Sequence, residues 1–292
     1  MFSLHKRRIL TTALPFEYGD LRRAKWWLTD ESLIPVAQAA TAAIDAAGES
    51  GSSRDLEVLK SDERRLIVRI ASSQSGGDPF IVKVSPLRCL RHRLKYHSLK
   101  YDRFAFGEAV NLLAAAERGL NVPKVYGYGC IYGSCRLATK DILILQDLAP
   151  RVQVDDLLEQ SRGDEKKCAA VLDRTIPTFL ALYKAHCNHI NINMHAVMLG
   201  EEDSGRDDYV LDFEYTQFHD TPNPEVLMFE AGRFGNRCSA CVATKTIYAW
   251  KDKLLDAIGI EAGRRREEMT GYFEYYFSRE LSRKDRQRIG VS

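Results

Sequence analysis

The hydrophobic pattern changes character about halfway along the chain, and this change constrains the fold more than any other feature. Between residues 55 and 150, turns separate short apolar runs, which include DLEVLK, RRLIVRIAS, PFIVKVS, KVYGYGCI and DILILQDL. Such runs are typical of antiparallel β-strands. After residue 150, apolar residues recur at helical spacing, as in KKCAAVLDRTIPTFLALYKAHC. The sequence therefore predicts an α+β protein with a β-rich half and a helical half.

Three segments follow from this pattern. Residues 1–50 are predicted to form an N-terminal helical extension, because DESLIPVAQAATAAIDAAGES has a capping residue and an Ala-rich helical stretch. Residues 51–149 are predicted to form a five-stranded antiparallel sheet, with one helix, DRFAFGEAVNLLAAAERGL, between the third and fourth strands. Residues 150–292 are predicted to form the helical part, with the boundary near Ala149 and Pro150.

Composition limits the functional classes. The chain has 292 residues, 45% of them hydrophobic, and a net charge of only +2, which disfavours nucleic-acid binding. The segment from Lys83 to Arg103 holds seven basic residues against Asp102 alone, and it is expected to meet phosphates, anionic lipid or simply water. No apolar run approaches a signal peptide or a membrane span, so the sequence favours the cytoplasm and reduced thiols. The isolated pair Cys238 and Cys241 favours helix packing over a metal site.

Two charged residues stand out in the β-rich half. Lys83 lies inside the apolar strand FIVKV, and a buried ammonium group needs an anionic partner. Glu108 follows 25 residues later, early in the next helix, and could supply that partner. Each residue alone has a simpler interpretation, as a lysine on an edge strand and as a surface glutamate near a helix N-terminus.

The helical half contributes a loop and a strand end. HCNHININMHAVMLG contains His189, Asn191 and His195 between a long helix and a short strand. Asp212 ends the apolar part of YVLDFEYTQF, where its carboxylate could hold Mg²⁺ against phosphate groups or simply begin a turn. The order of strand lysine, helix glutamate, loop and strand-end aspartate fits phosphoryl transfer, which depends mainly on positioning and charge neutralisation.

With these motifs in order, the chain resembles the protein-kinase-like lipopolysaccharide core kinases, which phosphorylate Kdo or heptose sugars. The most specific part is YDRFAFGEAVNLLAAAERGLNVPKVYGYG, and the likeness extends from about Asp55 to Phe218. The resemblance implies ATP and Mg²⁺ as cofactors and a two-lobed fold. It makes Lys83 the phosphate-contacting lysine, Glu108 its partner and Asp212 the magnesium ligand. It also makes DILILQDLA the hinge, with adenine expected at the backbone of Gln146 and Leu148.

The chain departs from the family pattern at two places. The family's catalytic loop has His-x-Asp followed by Asn or His five residues after the Asp; here His189 fits, but Asn191 replaces the aspartate and Ala196 the last residue. An asparagine can orient a hydroxyl group but cannot take its proton, although His195 could substitute as the base. The first turn of the sheet, LKSDERRL, also lacks the glycines expected to cover phosphates.

Three hypotheses follow. The leading one is an ATP-dependent kinase for an inner-core sugar, with its basic residues against the cytoplasmic face of the inner membrane. The second is a pseudokinase that binds nucleotide or protein in the same pathway, since a missing catalytic aspartate weakens catalysis. The third is a small-molecule phosphotransferase of the aminoglycoside or choline kinase kind, which fits less well because those enzymes usually keep the aspartate.

Overall fold

The computed structural model describes residues 16–18, 24–48, 56–63, 65–71, 78–97, 104–133, 137–201, 208–282 and 285–286. The described chain divides into two compact units. The first contains the described residues up to Ala114 together with Pro123–Leu148, and the second contains Ala115–Val122 and the described residues from Ala149 onward. The predicted α+β class, with a β-rich unit followed by a mainly helical unit, is confirmed.

The first unit is built on one antiparallel sheet with the strand order β1-β2-β6-β7-β5-β4-β3. Its seven strands, from β1 to β7, are Phe16–Tyr18, Ala24–Leu28, Leu56–Ser61, Leu66–Ile70, Phe80–Pro86, Val125–Tyr132 and Ala138–Gln146. Three helices accompany them: α1 (Ile34–Gly48), α2 (Leu90–His97) and α3 (Phe104–Glu117).

The sheet is larger than the predicted five strands, because two strands come from the segment for which a helical extension was predicted. In β2, the burial alternates along AKWWL, and Trp26 and Leu28 are fully buried while Trp27 stacks on Tyr128. Aromatic residues that alternate between two faces favour a strand. The helix prediction holds for α1, which follows directly after a short 3₁₀ turn capped by Asp30.

The sheet carries α1 on one face and α3 on the other. The face towards α1 is apolar: Val82 and Val84 of β5 pack in one core with Ala37, Ala40 and Ile44. Successive side chains of a strand point to opposite faces. Lys83, between the two valines, therefore points to the face on which α3 lies.

The second unit is mainly helical. Its helices are α4 (Val154–Gln160), α5 (Glu165–Lys184), α6 (Pro224–Cys238), α7 (Thr244–Ala257) and α8 (Arg264–Phe277). Short strands connect them: β8 (Val152–Gln153) and β11 (Tyr209–Val210) flank β10 (Val197–Leu199), and β9 (Cys187–Asn188) pairs with β12 (Gln217–Phe218). Both α5 and α6 begin at a side-chain cap, Asp164 and Asn223 respectively.

Aromatic side chains fill the core of this unit. Phe179 of α5, Phe234 of α6 and Trp250 of α7 are fully buried and contact one another, with ring centroids 5.2–5.6 Å apart. Helix α8 approaches α6 at Gly232, where a Cβ atom would lie 2.2 Å from the carbonyl oxygen of Phe273. Among the described residues, no helix is both long and apolar enough to span a membrane.

Candidate active site

The predicted partners in the first unit do form an ion pair. Lys83 Nζ lies 2.8 Å from Glu108 Oε1, and the side chains are only 14% and 6% exposed. Lys83 stands in the middle of the sheet, opposite Ile67 of β4 and Leu143 of β7. An ammonium group among apolar neighbours is tolerated because the carboxylate compensates its charge. The structure thus excludes the interpretation of Lys83 as an edge-strand residue.

Asp141 fixes the start of the helix that carries Glu108. This aspartate of β7 is fully buried; its Oδ2 accepts from the backbone N–H of Ala105 at 2.6 Å and its Oδ1 from Tyr96 Oη at 3.1 Å. Burial and the nearby carboxylate raise the pKa of Tyr96 well above its ordinary value, so the phenol keeps its proton. Asp141 was not predicted as a site residue, although a single acidic residue at the start of the apolar run DILIL was the available signal.

The predicted hinge residues lie at the end of β7. The backbone N–H of Gln146 donates to the carbonyl of Lys124 at 2.9 Å, and the Gln146 side chain accepts from the N–H of Lys124. Leu148 is buried at the end of the first unit. The side chain of Asp147 between them, 5% exposed, pairs with Arg69 at 2.9 Å.

The turn between β3 and β4 contains no glycine and carries acidic residues. The backbone N–H of Arg65 donates to Asp62 Oδ1, and the backbone N–H of Asp62 donates to the carbonyl of Arg65. In glycine-rich loops, backbone N–H groups donate hydrogen bonds to phosphate oxygens. The side chains of Asp62 and Glu63 instead present oxygen atoms, which when ionised can only accept hydrogen bonds. The described residues of this turn, 62, 63 and 65, therefore carry no phosphate-binding feature of that kind.

In the second unit, the predicted loop has unusual backbone geometry. His186, Ile190 and Asp212 adopt positive φ angles of 55°, 65° and 61°. For a β-branched residue such as Ile190 this conformation is a genuine outlier, and strain of this type persists only where surrounding contacts enforce it. The strained residue lies directly between two predicted site residues, His189 and Asn191.

Glu230 of α6 supplies the enforcing contact. It is 5% exposed, and its Oε1 accepts from the backbone N–H of Ile190 at 2.8 Å. Burial raises the pKa of Glu230 to about 8, and the hydrogen bond from the Ile190 amide only partly offsets that effect. The carboxyl group is therefore largely protonated at neutral pH. Its other oxygen, Oε2, is buried and has no hydrogen-bond partner among the described residues.

The side chain of His189, a residue of this loop, is fully buried. Its Nε2 is 2.6 Å from the carbonyl of Leu211, so this nitrogen carries the proton and donates, while the ring packs edge-on against Phe213. Burial lowers the pKa of His189 to about 4 despite that hydrogen bond. The imidazole is thus neutral and ties the loop to the residue that precedes Asp212.

The side chain of Asn191 is held by two arginines. Its Oδ1 accepts from Arg233 Nη2 at 2.8 Å and from Arg286 Nη1 at 3.1 Å. Arg233 of α6 is 7% exposed; its Nε donates to the carbonyl of Ile192 and its Nη1 to Tyr276 Oη. Glu230 and Arg233 were not predicted as site residues. Their three-residue spacing on the buried face of one helix was the signal that could have identified them.

His195 is separate from this cluster. It lies in the 3₁₀ turn Met194–Ala196, its side chain is 62% exposed, and its Nδ1 is 3.3 Å from Asp155 Oδ2. Asn193 caps the turn by accepting from the backbone N–H of His195. An exposed imidazole oriented by a carboxylate is a geometry that suits a general base.

Asp212 is the N-cap residue of the 3₁₀ turn Phe213–Tyr215, two residues after the end of β11, and its charge acts on His189. The structure thus brings His189 and Asp212 together through Leu211. Elsewhere, Cys238 is buried and Cys241 partly exposed at the end of α6, and the described residues contain no group of three or more His, Cys, Asp or Glu side chains suited to a metal ion.

Comparison with known proteins identifies a matching family and similar solved structures. The family model described as the lipopolysaccharide kinase (Kdo/WaaP) family matches residues 57–225, more than half of the chain. No curated protein matches. Among solved structures, one described as WaaP in complex with acyl carrier protein is similar at 15% sequence identity and a TM-score of 0.43; the match covers 79% of this chain and 91% of that one.

Proposed function

Because the chain belongs to the lipopolysaccharide kinase (Kdo/WaaP) family, we propose that it transfers a phosphoryl group from ATP to a hydroxyl of an inner-core sugar, heptose or Kdo. The observation that carries this proposal is the Lys83–Glu108 ion pair, 2.8 Å long and largely buried. Two buried charges are expensive to maintain for stability alone. Their persistence favours a lysine kept charged and oriented for an anionic ligand.

The donor set fits the proposed cofactors. Lys83 would contact the nucleotide phosphates, and the backbone of Gln146 and Leu148 would meet the adenine. Asp212 would hold Mg²⁺, which is commonly bound by one or two carboxylates together with substrate phosphates and water. The absence of a three-residue acidic or histidine cluster among the described residues is compatible with such a site. The metal, when bound, supplies charge neutralisation to the transferring phosphoryl group.

The loop would contribute positioning rather than a strong base. Glu230 and His189 hold the backbone around Ile190, and Asn191 presents its amide group in a fixed orientation. A general base contributes about 10²–10⁴-fold to a rate, so an asparagine at this position implies slow turnover. His195, paired with Asp155, is the alternative proton acceptor.

The second candidate function is a pseudokinase that binds nucleotide or protein without transferring phosphate. The observation that favours it is the saturation of Asn191: two guanidinium groups occupy its amide oxygen. In that case the ion pair and Asp212 would serve binding alone.

Helix α2 supports a peripheral association with an anionic membrane, where the substrate lipid resides. Leu90 and Leu94 are 60% and 55% exposed one helical turn apart, and the neighbouring Arg88 and Arg91 are also exposed. Apolar residues flanked by arginines are typical of helices that lie in a membrane interface. Cosedimentation with vesicles containing phosphatidylglycerol should fall for a Leu90→Ser, Leu94→Ser variant, and equal binding by wild type and variant would exclude this surface.

Nucleotide binding is tested first. MgATP should raise the melting temperature of the wild type, and Lys83→Met and Asp212→Asn should each abolish most of that rise. Lys60→Met, at an exposed lysine of the adjacent sheet region, is the matched control and should behave as wild type. If MgATP does not change the melting temperature of the wild type, the only remaining hypothesis is a pseudokinase that binds protein.

Phosphate transfer to purified core oligosaccharide decides between the two candidates. Transfer by the wild type that disappears in Lys83→Met establishes the kinase. MgATP binding without transfer by the wild type, combined with transfer by Asn191→Asp, establishes the pseudokinase.

A further inference from the structure

A small pocket opens beside the loop, entirely within the second unit. The side chains that matter are Glu230 and Arg233 of α6, Tyr276 of α8 and Arg286 near the C-terminal end of the described chain. The pocket has a volume of about 20 Å³, room for roughly one water-sized group, with Ile190 in its wall. It therefore accepts a single atom or a small part of a ligand at the point where the backbone is strained.

The pocket concentrates positive charge, and burial keeps the one acid among its described lining residues, Glu230, largely protonated by raising its pKa to about 8. Arg233 and Arg286 approach the same oxygen of Asn191, a neutral side chain, and the remaining Arg233 contacts are to a carbonyl and a phenol. Among the described residues, neither guanidinium forms an ion pair with a carboxylate. Burial, with repulsion from Arg286 as a further cause, lowers the pKa of Arg233. Two cations held together in this way attract an anion.

Two buried polar groups in the pocket have no hydrogen-bond partner among the described residues, and both can donate a hydrogen bond to an anion. Arg286 Nε is buried and unpartnered among the described residues, and it can only donate. Glu230 Oε2 is also buried and unpartnered, on a side chain that is 5% exposed. Because the pKa of Glu230 is raised to about 8, this carboxyl group can donate a proton in a hydrogen bond at neutral pH. Both unpartnered groups can therefore donate a hydrogen bond to an acceptor atom. The small volume of the pocket suits one oxygen of an oxyanion.

We propose that this pocket receives one oxygen of an oxyanion, a phosphate or carboxylate group carried by the sugar acceptor, between Arg233, Arg286 and Glu230. The proposal rests on the function proposed above and adds the chemical class of the acceptor. Arg286 and Arg233 hold the anionic group beside Asn191, so a neighbouring hydroxyl of the same sugar is oriented at the loop. Acceptors that carry the charged group are therefore selected over neutral sugars of the same shape.

Inorganic phosphate is the first probe, and binding is measured by calorimetry without nucleotide at constant ionic strength. In Lys83→Met, whose proposed nucleotide site should no longer attract phosphate, binding of phosphate should persist, because the pocket lies in the other unit. Arg286→Gln, which keeps a donor for Asn191 but removes the charge, should weaken binding about tenfold to hundredfold, the usual effect of losing a charge-assisted hydrogen bond. The control Arg264→Gln, at an arginine 92% exposed on α8, should bind as wild type.

The second probe distinguishes a group on the acceptor from free phosphate. Kdo carries a carboxylate and its methyl ester does not; Kdo should bind more tightly to the wild type, and Arg286→Gln should remove the difference. The proposal is overturned if Arg286→Gln binds phosphate as wild type does, if Lys83→Met abolishes phosphate binding, or if neither Kdo nor a phosphorylated heptose binds better than its neutral counterpart. Because these readouts need no turnover, Arg286-dependent binding without phosphate transfer would sustain the pocket while the kinase proposal fails.

Discussion

Replacement of Glu230 by glutamine should change how the stability of the second unit depends on pH. The folded protein holds the pKa of Glu230 at about 8, against an ordinary value of 4.5 that applies to the unfolded chain. At a pH between 4.5 and 8, the Glu230 carboxyl group is therefore protonated in the folded protein and deprotonated in the unfolded chain. Stability from this group is therefore fully present below pH 4.5 and is lost as the pH rises towards 8, by about 1.4 kcal/mol per pH unit.

His189 contributes the opposite slope over a different range. Its pKa is about 4 in the folded protein against 6.5 in the unfolded chain, so stability is lost as the pH falls from 6.5 towards 4. Between pH 4.5 and 6.5 the two groups largely cancel each other. Between pH 6.5 and 8 Glu230 acts alone, and its contribution falls by about 2 kcal/mol. This upper window is the one in which the variant is informative.

Denaturant unfolding at pH 6.5 and at pH 8 measures this difference, with Trp250 as the reporter of the second unit. Trp26→Phe and Trp27→Phe in every protein remove the tryptophans of the first unit. Between pH 6.5 and pH 8, the free energy of unfolding of Glu230→Gln should fall by about 2 kcal/mol less than that of its parent. The free energy of unfolding of Glu267→Gln, at an exposed glutamate of α8, should change with pH as that of the parent does. Parallel losses in the parent and Glu230→Gln would refute the conclusion that the carboxyl group is buried and protonated.

Three further predictions concern other contacts. Asp141→Asn should weaken the anchor at the start of α3 and so lower the affinity for MgATP about tenfold, measured by calorimetry, because charged hydrogen bonds of this kind contribute about 1.5–3 kcal/mol. Gly232→Ala should cost more than about 2 kcal/mol in thermal unfolding, since its Cβ would collide with the backbone of Phe273, whereas Gly271→Ala meets open space and should stabilise α8 by about 0.5–1 kcal/mol. Asn191→Asp should raise the melting temperature at pH 7, because it places a carboxylate between two arginines; an unchanged or lower value would contradict the contact with Arg233 and Arg286.

The sequence predicts the sheet and its ion pair well, because both follow from local signals. Short apolar runs separated by turns define β3 to β7. A lysine in an apolar strand requires a counter-charge, which Glu108 provides at 2.8 Å. The first two strands were missed because β1 has three residues and β2 five, and the longer Ala-rich helix that follows them has the stronger periodic signal.

The support of the loop could not be predicted in the same way. Glu230 and Arg233 lie about 40 residues from the loop that they hold, and no local pattern links a helix residue to a particular distant amide. Arg286 is 95 residues from Asn191 and lies in a stretch whose many basic residues look equivalent in the sequence. The burial of Glu230 and Arg233 depends on the tertiary packing of α6 against the loop, so it cannot be predicted from the local sequence.

The contacts of Asn191 restrict what this side chain can do for a substrate. A carbonyl oxygen has two lone pairs, and Arg233 and Arg286 occupy both of those on Asn191 Oδ1. Within the described structure, only the Nδ2 group remains for an acceptor hydroxyl, and it can donate to the hydroxyl oxygen but cannot accept its hydrogen. A carboxylate at the same position would keep one oxygen for the substrate while the other met the arginines. An asparagine here therefore reverses the polarity of the contact offered to the hydroxyl. In the proposed reaction the hydroxyl proton must then go to another group, and our candidate is His195, which pairs with Asp155 of α4.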